Sequence, residues 1–216
     1  MGRTGSRTRE PCVSDMTVLQ YAQLAARCYA DAPTFGKPDG AGRACVYDGV
    51  VAFRGTDDPA AMLADIDADT VPVAQLGQIH DGFFNAFAEI SADLMKLSPQ
   101  VITGHSLGGA LALIYAGQLC AAGRPPAAVY AFEPPRLCIG PELNALLNAY
   151  GVMRFATRNG LDPITEVPSW MSLPAPLSPI GVVTDTLDLI SYHMIDNVMA
   201  ALQMPATPAP ALEHFI

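Results

Sequence analysis

The sequence predicts an α/β fold in which a mostly parallel central sheet is covered by helices on both faces. Short apolar runs typical of buried strands alternate with longer runs that carry apolar residues at helical spacing. Such alternation is typical of strand–helix–strand units, whose parallel strands need helices over both faces of the sheet. An Asp-Gly pair between two early apolar runs adds an N-terminal antiparallel hairpin at one edge.

Composition and charge restrict the classes of function. The chain has 216 residues, of which 50% are hydrophobic and 15% are charged, so it suits one folded domain with a sizeable core. Its net charge of −9 disfavours binding to nucleic acid or to anionic membrane surfaces. Five cysteines without a C-x-x-C pair indicate reduced thiols rather than a disulfide framework or a zinc site.

The two ends of the chain differ in composition from the rest. Residues 1–14 predict a flexible leader, residues 15–203 a single domain, and residues 204–216 a Pro-rich C-terminal tail. The leader lacks the apolar stretch of a signal peptide, which favours a cytoplasmic location and leaves export by another route open. No apolar stretch approaches ~20 residues, so no transmembrane segment is expected.

The first half of the chain contains two predicted helices and a hairpin. Met16–Ala30 carries an apolar stripe at helical spacing and predicts a helix that packs on the sheet. Arg43–Arg54 predicts the hairpin, because Asp48-Gly49 between apolar arms suits a type I′ turn. Asp58–Val71 is a short acidic and apolar segment, and Gly82–Leu97 predicts the second helix.

Strands and helices alternate in the second half. The predicted strands, each a short run of buried character, are Gln100–Thr103, Ala127–Phe132 and Val152–Thr157. The predicted helices, each with apolar residues at helical spacing, are Leu107–Leu119, Pro141–Ala149 and Leu187–Leu202. A proline-rich stretch, Pro168–Pro179, precedes the last of these helices.

The most informative motif lies where the first of these strands meets its helix. Residues 103–111 read Thr-Gly-His-Ser-Leu-Gly-Gly-Ala-Leu and contain the pattern G-x-S-x-G. In the α/β-hydrolase fold this pattern forms the nucleophile elbow, a sharp turn that exposes the serine hydroxyl at the top of the sheet. The motif therefore predicts an α/β-hydrolase fold with Ser106 as the nucleophile.

A serine nucleophile needs a base, and the chain has four histidines. His105 lies within the elbow and suits a packing role, His80 precedes the serine, and His214 falls in the predicted tail. The α/β-hydrolase fold orders its triad serine, acid, histidine along the chain. Elimination and chain order together predict His193 as the base.

The triad acid is expected between the nucleophile and the base, in a loop after a strand. Asp162 meets this condition, because it follows the strand Val152–Thr157 in a turn-rich segment. Glu133 also follows a strand and ranks second. Asp185 and Asp188 are nearer the base in sequence but precede or begin the last predicted helix. Asp162 is thus predicted to hold the tautomer of His193 and stabilise its imidazolium form.

The oxyanion of a tetrahedral intermediate needs hydrogen-bond donors. The elbow supplies one, the backbone N–H of Leu107 directly after the nucleophile. Thr56 follows the hairpin and offers both an N–H and a hydroxyl as the second donor. The alternative for Thr56 is that it only begins a turn or caps the next helix.

The predicted oxyanion segment, elbow, acid loop and histidine segment, together with two further sequence blocks, resemble those of the class 3 lipases. These lipases are the fungal-lipase-like branch of the α/β-hydrolase superfamily. The similarity runs through about Arg43 to Leu202. Glu133 stands where the family usually has glycine, and the aromatic residue often found in the family's lid is absent. The similar blocks are Val51–Thr56 of the oxyanion segment, Ile79–Phe83, the elbow Gly104–Gly109, Phe132–Arg136 with Gly140, the acid loop Asn159–Pro168, and the histidine segment His193–Asn197.

The resemblance also implies a lid over the site. Asp58–Val71 would form it, with Met62, Leu63 and Ile66 on its apolar side. The alternative is a short amphipathic surface helix that never moves. Trp170, the only tryptophan, lies in a Pro- and Leu-rich stretch between acid and base and is predicted to line the substrate pocket.

The predicted function is a serine hydrolase of carboxylic (acyl or lipid) esters, a lipase or esterase that works through an acyl-enzyme. Glycerides or simple esters are the expected substrates, with transient contact to a lipid interface. No metal or organic cofactor is implied. A phospholipase, thioesterase or acyltransferase on the same triad is the alternative within enzymes. A non-catalytic lipase-like binding scaffold is the alternative of another class, and the intact triad candidates argue against it.

Overall fold

The computed structural model describes residues 16–65, 69–183 and 188–205. The predicted leader, most of the predicted tail with His214, the lid residue Ile66 and the alternative acid Asp185 lie outside the described residues. The division of the chain into leader, domain and tail stays a prediction.

Nine strands and six α-helices make up the described chain. The strands are β1 (Ala44–Tyr47), β2 (Val50–Phe53), β3 (Thr70–Val73), β4 (Gly77–His80), β5 (Val101–His105), β6 (Ala128–Phe132), β7 (Cys138–Ile139), β8 (Met153–Arg158) and β9 (Leu177–Pro179). The helices are α1 (Val18–Ala30), α2 (Pro59–Asp65), α3 (Asp81–Leu94), α4 (Leu107–Ala121), α5 (Glu142–Ala149) and α6 (Ile195–Ala201). Two short 3₁₀ helices, Ile164–Glu166 and Leu189–His193, lie between β8 and α6.

The central sheet has six strands in the order β1-β2-β5-β6-β8-β9. Every neighbouring pair is parallel except β1 and β2, so the antiparallel hairpin lies at one edge. The hairpin turn has positive φ at both Asp48 (47°) and Gly49 (86°), as a type I′ turn requires. The predicted fold class and the predicted hairpin are confirmed.

Helices cover both faces of the central sheet. One apolar cluster joins α3, α4 and α5 to the sheet through residues such as Phe87, Leu113 and Leu147. The other joins α1 and α6 to the opposite face through Tyr21 and Val198. Almost all of α4 is buried, because this helix lies against β5 and β6 and between α3 and α5. The elbow therefore lies between β5, which is fully buried, and α4, which is almost fully buried.

A second, three-stranded antiparallel sheet in the order β3-β4-β7 was not predicted from the sequence. β9, a short edge strand that ends at Pro179, was also not predicted within the proline-rich stretch. Proline is tolerated there because an edge strand has a free N–H side. The predicted segment Asp58–Val71 is likewise not uniform, since α2 ends at Asp65 and Val71 belongs to β3.

The prediction of one last helix over Leu187–Leu202 was wrong. The described chain forms the 3₁₀ helix Leu189–His193 and then α6, with extended backbone at Met194 (φ −64°, ψ 130°) between them. Apolar spacing alone carries no signal for such a break. The break places His193 at the end of a helical turn. None of the described helices is long and apolar enough to cross a membrane.

Candidate active site

Ser106 lies on the sharp turn between β5 and α4. Its backbone has φ 58° and ψ −130°, a conformation that side chains other than glycine rarely adopt. Its N–H donates a 2.9 Å hydrogen bond to the carbonyl of Phe132 on the neighbouring strand, and the residue is fully buried. The turn has the geometry of a nucleophile elbow, as the motif predicts.

Two glycines allow the backbone around Ser106 to pack closely. A Cβ on Gly104 would lie 2.2 Å from the carbonyl oxygen of Gly108, so the strand and helix can turn back on each other only without it. A Cβ on Gly55 would lie 2.6 Å from the carbonyl oxygen of His105 and 3.0 Å from the Cβ of Ser106. The segment after β2 therefore runs directly against the nucleophile. The sequence motif indicated the role of Gly104 but not that of Gly55.

Thr56 and Leu107, the two predicted oxyanion donors, line the same cleft beside Ser106. Leu107 is the first residue of α4, and the N–H groups of a helix's first turn have no acceptor within the helix. The Thr56 hydroxyl accepts a 3.4 Å hydrogen bond from the N–H of Asp58, and Asp58 in turn caps α2. The side chain of Thr56 thus takes part in the turn before α2, while its backbone lies at the cleft.

His193 and Asp162 form a buried pair. The Nδ1 of His193 donates to the Oδ2 of Asp162 at 2.7 Å, and both side chains are inaccessible to solvent. The other carboxylate oxygen of Asp162 accepts the N–H of Ile164 at 2.9 Å. The Ser106 Oγ and the His193 Nε2 are both buried and have no hydrogen-bond partner among the described residues. Each of these two groups is therefore available to bind a reacting atom.

Asn159 links the loop of Asp162 to the segment of His193. Its side-chain amide donates to the carbonyls of Val183 and Tyr192, each at 2.9 Å, and its oxygen accepts the N–H of Val183 at 3.1 Å. Tyr192 immediately precedes His193. Asn159 lies in the predicted acid loop, but the sequence carries no signal for this contact.

A family model described as lipase (class 3) matches residues 50–172, which is more than half of the chain. The chain belongs to the class 3 lipases. It is therefore a carboxylic ester hydrolase by family. His193 lies beyond the matched segment, so its assignment depends on its contact with Asp162.

Solved lipase structures share the fold of this class 3 lipase. The lipase of Rhizopus microsporus var. chinensis is 18% identical, with 88% of this chain and 87% of that chain covered and a TM-score of 0.65. The Rhizomucor miehei lipase–propeptide complex is 19% identical, with 80% and 70% covered and a TM-score of 0.59. A fungal lipase–inhibitor complex that gave a model for interfacial activation is 18% identical, with 88% and 90% covered and a TM-score of 0.59. No curated protein sequence matches the chain.

Two clefts of this lipase meet at Thr56. The larger, about 360 Å³, has mostly apolar walls and includes Met62, Phe83 and Leu107. The smaller, about 200 Å³, lies between Tyr29, Pro59 and Met194. The helix α2 borders the larger cleft through Met62 and contacts the 3₁₀ helix that ends at His193. The side chains of Ser106 and His193 are both fully buried in this structure.

The other two described histidines occupy structural positions. His105 is buried, with Nδ1 2.8 Å from the Tyr29 hydroxyl and Nε2 2.7 Å from the carbonyl oxygen of His193. Because a carbonyl only accepts, Nε2 carries the proton and Nδ1 accepts from Tyr29. His105 thus fixes the backbone of His193, against whose ring it packs. The ring of His80 stacks on Phe83 at 3.9 Å.

Burial sets the electrostatics of the site. It raises the pKa of Asp162 to about 7 and lowers the pKa of His193 to about 4. It also lowers the pKa of His105 well below its usual value, an effect that the nearby His193 increases. Because His193 and Asp162 share one hydrogen bond, the pair loses its protons in two steps. The form with a neutral imidazole and an ionised carboxylate therefore dominates above the upper step.

The remaining predicted site residues are only partly brought together. Met62 lines the larger cleft and Leu63 is half-buried on the same helix. Trp170 is 59% exposed and lies in neither cleft, so its role in acyl binding stays a prediction. Within the described ranges no group of three or more His, Cys, Asp or Glu side chains could hold a metal ion.

Proposed function

We propose that this lipase hydrolyses lipid esters through an acyl-enzyme on Ser106, with His193 as the base and Asp162 as the acid. The observation that carries the proposal is the buried 2.7 Å contact between His193 and Asp162. The His193 ring packs 4.8 Å from that of His105, the residue directly before the serine in the elbow conformation. Chain order and the hydrogen bond from His193 favour Asp162 over Glu133, which is equally buried.

The reaction begins with attack of the Ser106 Oγ on the ester carbonyl carbon, while its proton passes to the Nε2 of His193. A new C–O bond forms and the carbonyl oxygen becomes an oxyanion. Collapse of this intermediate breaks the ester C–O bond, and His193 returns the proton to the departing alcohol. Water then repeats the same steps on the acyl-enzyme, releasing the acid and restoring Ser106. Asp162 keeps the Nδ1 proton in place throughout.

The backbone N–H groups of Leu107 and Thr56 are the proposed donors to the oxyanion. Both residues border the larger cleft, and Gly55 brings the Thr56 segment against Ser106. Donors fixed in the backbone need no reorganisation when charge develops. Removal of one such donor costs about 3 kcal/mol in other hydrolases.

An apolar acyl chain suits the larger cleft. Its walls include Ala61, Met62, Phe83 and Ala86, and its titratable lining side chains are Asp58 and His80. A hydrocarbon chain gains about 0.8 kcal/mol for each methylene removed from water, so longer acyl chains are bound more tightly as far as the cleft extends. Glycerides and related uncharged esters fit this chemistry.

α2 is the proposed lid, with Met62 and Leu63 on its inner side. Ser106 and His193 have no exposed surface in this structure, so a substrate reaches them only after the cover moves. Contact with a lipid interface would compensate for the apolar surface that opening exposes. The fungal lipase–inhibitor complex, which is similar in fold, gave a model for interfacial activation in lipases.

The test compares wild type, Ser106→Ala and the control Ser98→Ala, which changes an exposed serine after α3. Each is treated with a fluorophosphonate probe and assayed on p-nitrophenyl esters from acetate to palmitate. Wild type and Ser98→Ala should label and turn over, whereas Ser106→Ala should lose labelling and about 10⁴-fold or more of kcat. Labelling that persists in Ser106→Ala would disprove the nucleophile assignment. A wild type without turnover on any ester, thioester or phospholipid would favour a binding scaffold.

A further inference from the structure

Glu133 is a second buried carboxyl group in the site. It follows β6 directly, is fully buried, and has a backbone φ of 50°, in the region that glycine prefers. Its two carboxyl oxygens accept hydrogen bonds from the Thr157 hydroxyl at 3.0 Å and the Asn159 N–H at 2.9 Å. A large acidic side chain in such a position needs a physical reason.

Glu133 and Asp162 are both fully buried and are linked through Asn159, whose N–H binds Glu133 at 2.9 Å and whose carbonyl accepts the N–H of Asp162 at 3.2 Å. Their carboxyl groups lie within hydrogen-bonding reach of each other. Two carboxylates cannot make a hydrogen bond to each other, because neither has a donor; one of the two must hold a proton. Two negatively charged carboxylates this close together in a buried site would also repel each other strongly. The pair is therefore one carboxylic acid and one carboxylate.

The surroundings decide which group keeps the proton. Asp162 receives N–H groups from both Ile164 and His193, and the positive charge of Arg158 acts in the same direction, so all three favour its ionised form. Burial and the neighbouring Asp162 raise the pKa of Glu133 well above its usual value. The other titratable groups near the pair are His193 and Glu166, and Glu166 is already paired with Arg136 and Arg158.

We propose that Glu133 is a positioning residue that remains a neutral carboxylic acid and donates its O–H to the Asp162 carboxylate. This donation fixes Asp162 from the side opposite His193, so that its Oδ2 stays on the Nδ1 proton of the base. The acid of the triad is then a two-carboxyl unit. The inference depends on the proposed function, because it assigns Glu133 a role through Asp162.

The first experiment measures the pH profile of kcat/KM for wild type, Glu133→Gln, Glu133→Gly and the control Glu89→Gln. Glu89 also accepts a backbone N–H, but from Gly42 on a different part of the fold. Glutamine is neutral and keeps an N–H donor for Asp162. Glycine suits the positive φ but removes the donor.

Wild type should rise to full activity through an apparent pKa near 7, the upper step of the Asp162–His193 pair. Glu133→Gln and Glu89→Gln should keep this midpoint to within about 0.3 and keep kcat within about threefold. Glu133→Gly should lose about 10- to 100-fold in kcat with little change in KM, as removal of supporting partners of other catalytic groups does. A midpoint that falls by about 1 or more in Glu133→Gln would mean that Glu133 is ionised. Full activity in Glu133→Gly would mean that it only fills space.

A second measurement does not depend on turnover. A carboxyl group whose pKa is raised in the folded state stabilises that state below its unfolded pKa and loses this contribution as the pH rises through the folded pKa. The Tm of Glu133→Gln relative to wild type should therefore increase between pH 5 and pH 9, while that of Glu89→Gln should not. A difference that is constant with pH would overturn the proposal. Loss of the proposed function would appear separately, as Ser106-independent or absent turnover.

Discussion

At the scale of single residues, the site depends on buried polar side chains that bind the backbone of distant segments. Asn159 binds both Val183 and the residue before His193, and the Nε2 of His105 binds the carbonyl of His193 itself. Each contact joins the carboxyl end of a parallel strand, β8 or β5, to another part of the site. The position of His193 is thus set by hydrogen bonds to the main chain rather than by its own short helix.

We predict that Asn159→Ala destabilises the fold and slows catalysis. The substitution leaves two partly buried carbonyls and one partly buried N–H without their partner, and an unpaired group that is fully buried costs about 1–3 kcal/mol. The free energy of unfolding in urea should fall by about 2–4 kcal/mol, and kcat should fall because His193 is less well held. The control Asn148→Ala removes an amide that binds Arg154 at the surface and should cost less than about 1 kcal/mol. Equal losses in the two variants would contradict the role of Asn159.

The main site residues could be predicted from the sequence because they lie in an ordered pattern along the chain. Ser106 lies in a local motif, and chain order and elimination lead to His193 and Asp162. Gly55 could not be found in this way. It matters because a Cβ at this position would lie only 2.6 Å from the carbonyl oxygen of His105, which is far away in sequence. The contact between Glu133 and Asp162 could not be found in this way either. Local sequence patterns predict which residues form the site. Contacts between side chains on different loops can be identified only in the folded chain.

At the scale of elements, the best predictions concern the elements that carry the elbow. β5 and α4 have strong apolar patterns because both are buried, and the structure places them within a few residues of their predicted bounds. β3, β4 and β7 were missed because they are short, with only partly buried residues at several positions. The last helix was predicted as continuous because apolar spacing carries no information on the extended backbone at Met194.

We predict that a polar substitution on the inner side of α2 weakens its closed position. Met62 lines the apolar cleft, whereas Ala60 on the same helix is exposed. Met62→Gln should lose about 1–2 kcal/mol of apolar contact that holds α2 over the site. Its kcat/KM on a soluble short-chain ester should rise severalfold, and its stimulation by an emulsion should shrink.

Ala60→Gln is the matched control and should behave as wild type in both assays. If Met62→Gln and wild type show the same ratio of emulsion to soluble activity, α2 is a fixed surface helix. That result would favour the alternative in which this segment never moves.

At the scale of the whole molecule, charge distribution limits the surfaces that the lipase can bind. The net charge is −9, and three of the twelve basic residues fall in residues 1–9, outside the described part. Near the site, Arg54 and Arg43 pair with Asp57, and Arg136 and Arg158 pair with Glu166. Each of these four guanidinium groups thus has a carboxylate partner, although the two shared carboxylates compensate only two of the four positive charges.

We predict that the protein binds anionic lipid surfaces more weakly than zwitterionic ones. Apolar contact through α2 favours both, but a negative surface repels a chain of net charge −9. Binding to phosphatidylglycerol vesicles and to phosphatidylcholine vesicles of equal size should be compared by flotation, at about 0.02 M and about 1 M salt. Because the Debye length shortens to about 3 Å at 1 M salt, the difference between the two lipids should largely disappear there. A preference for phosphatidylglycerol at low salt that salt abolishes would show that a basic surface, not the apolar side of α2, makes the first contact.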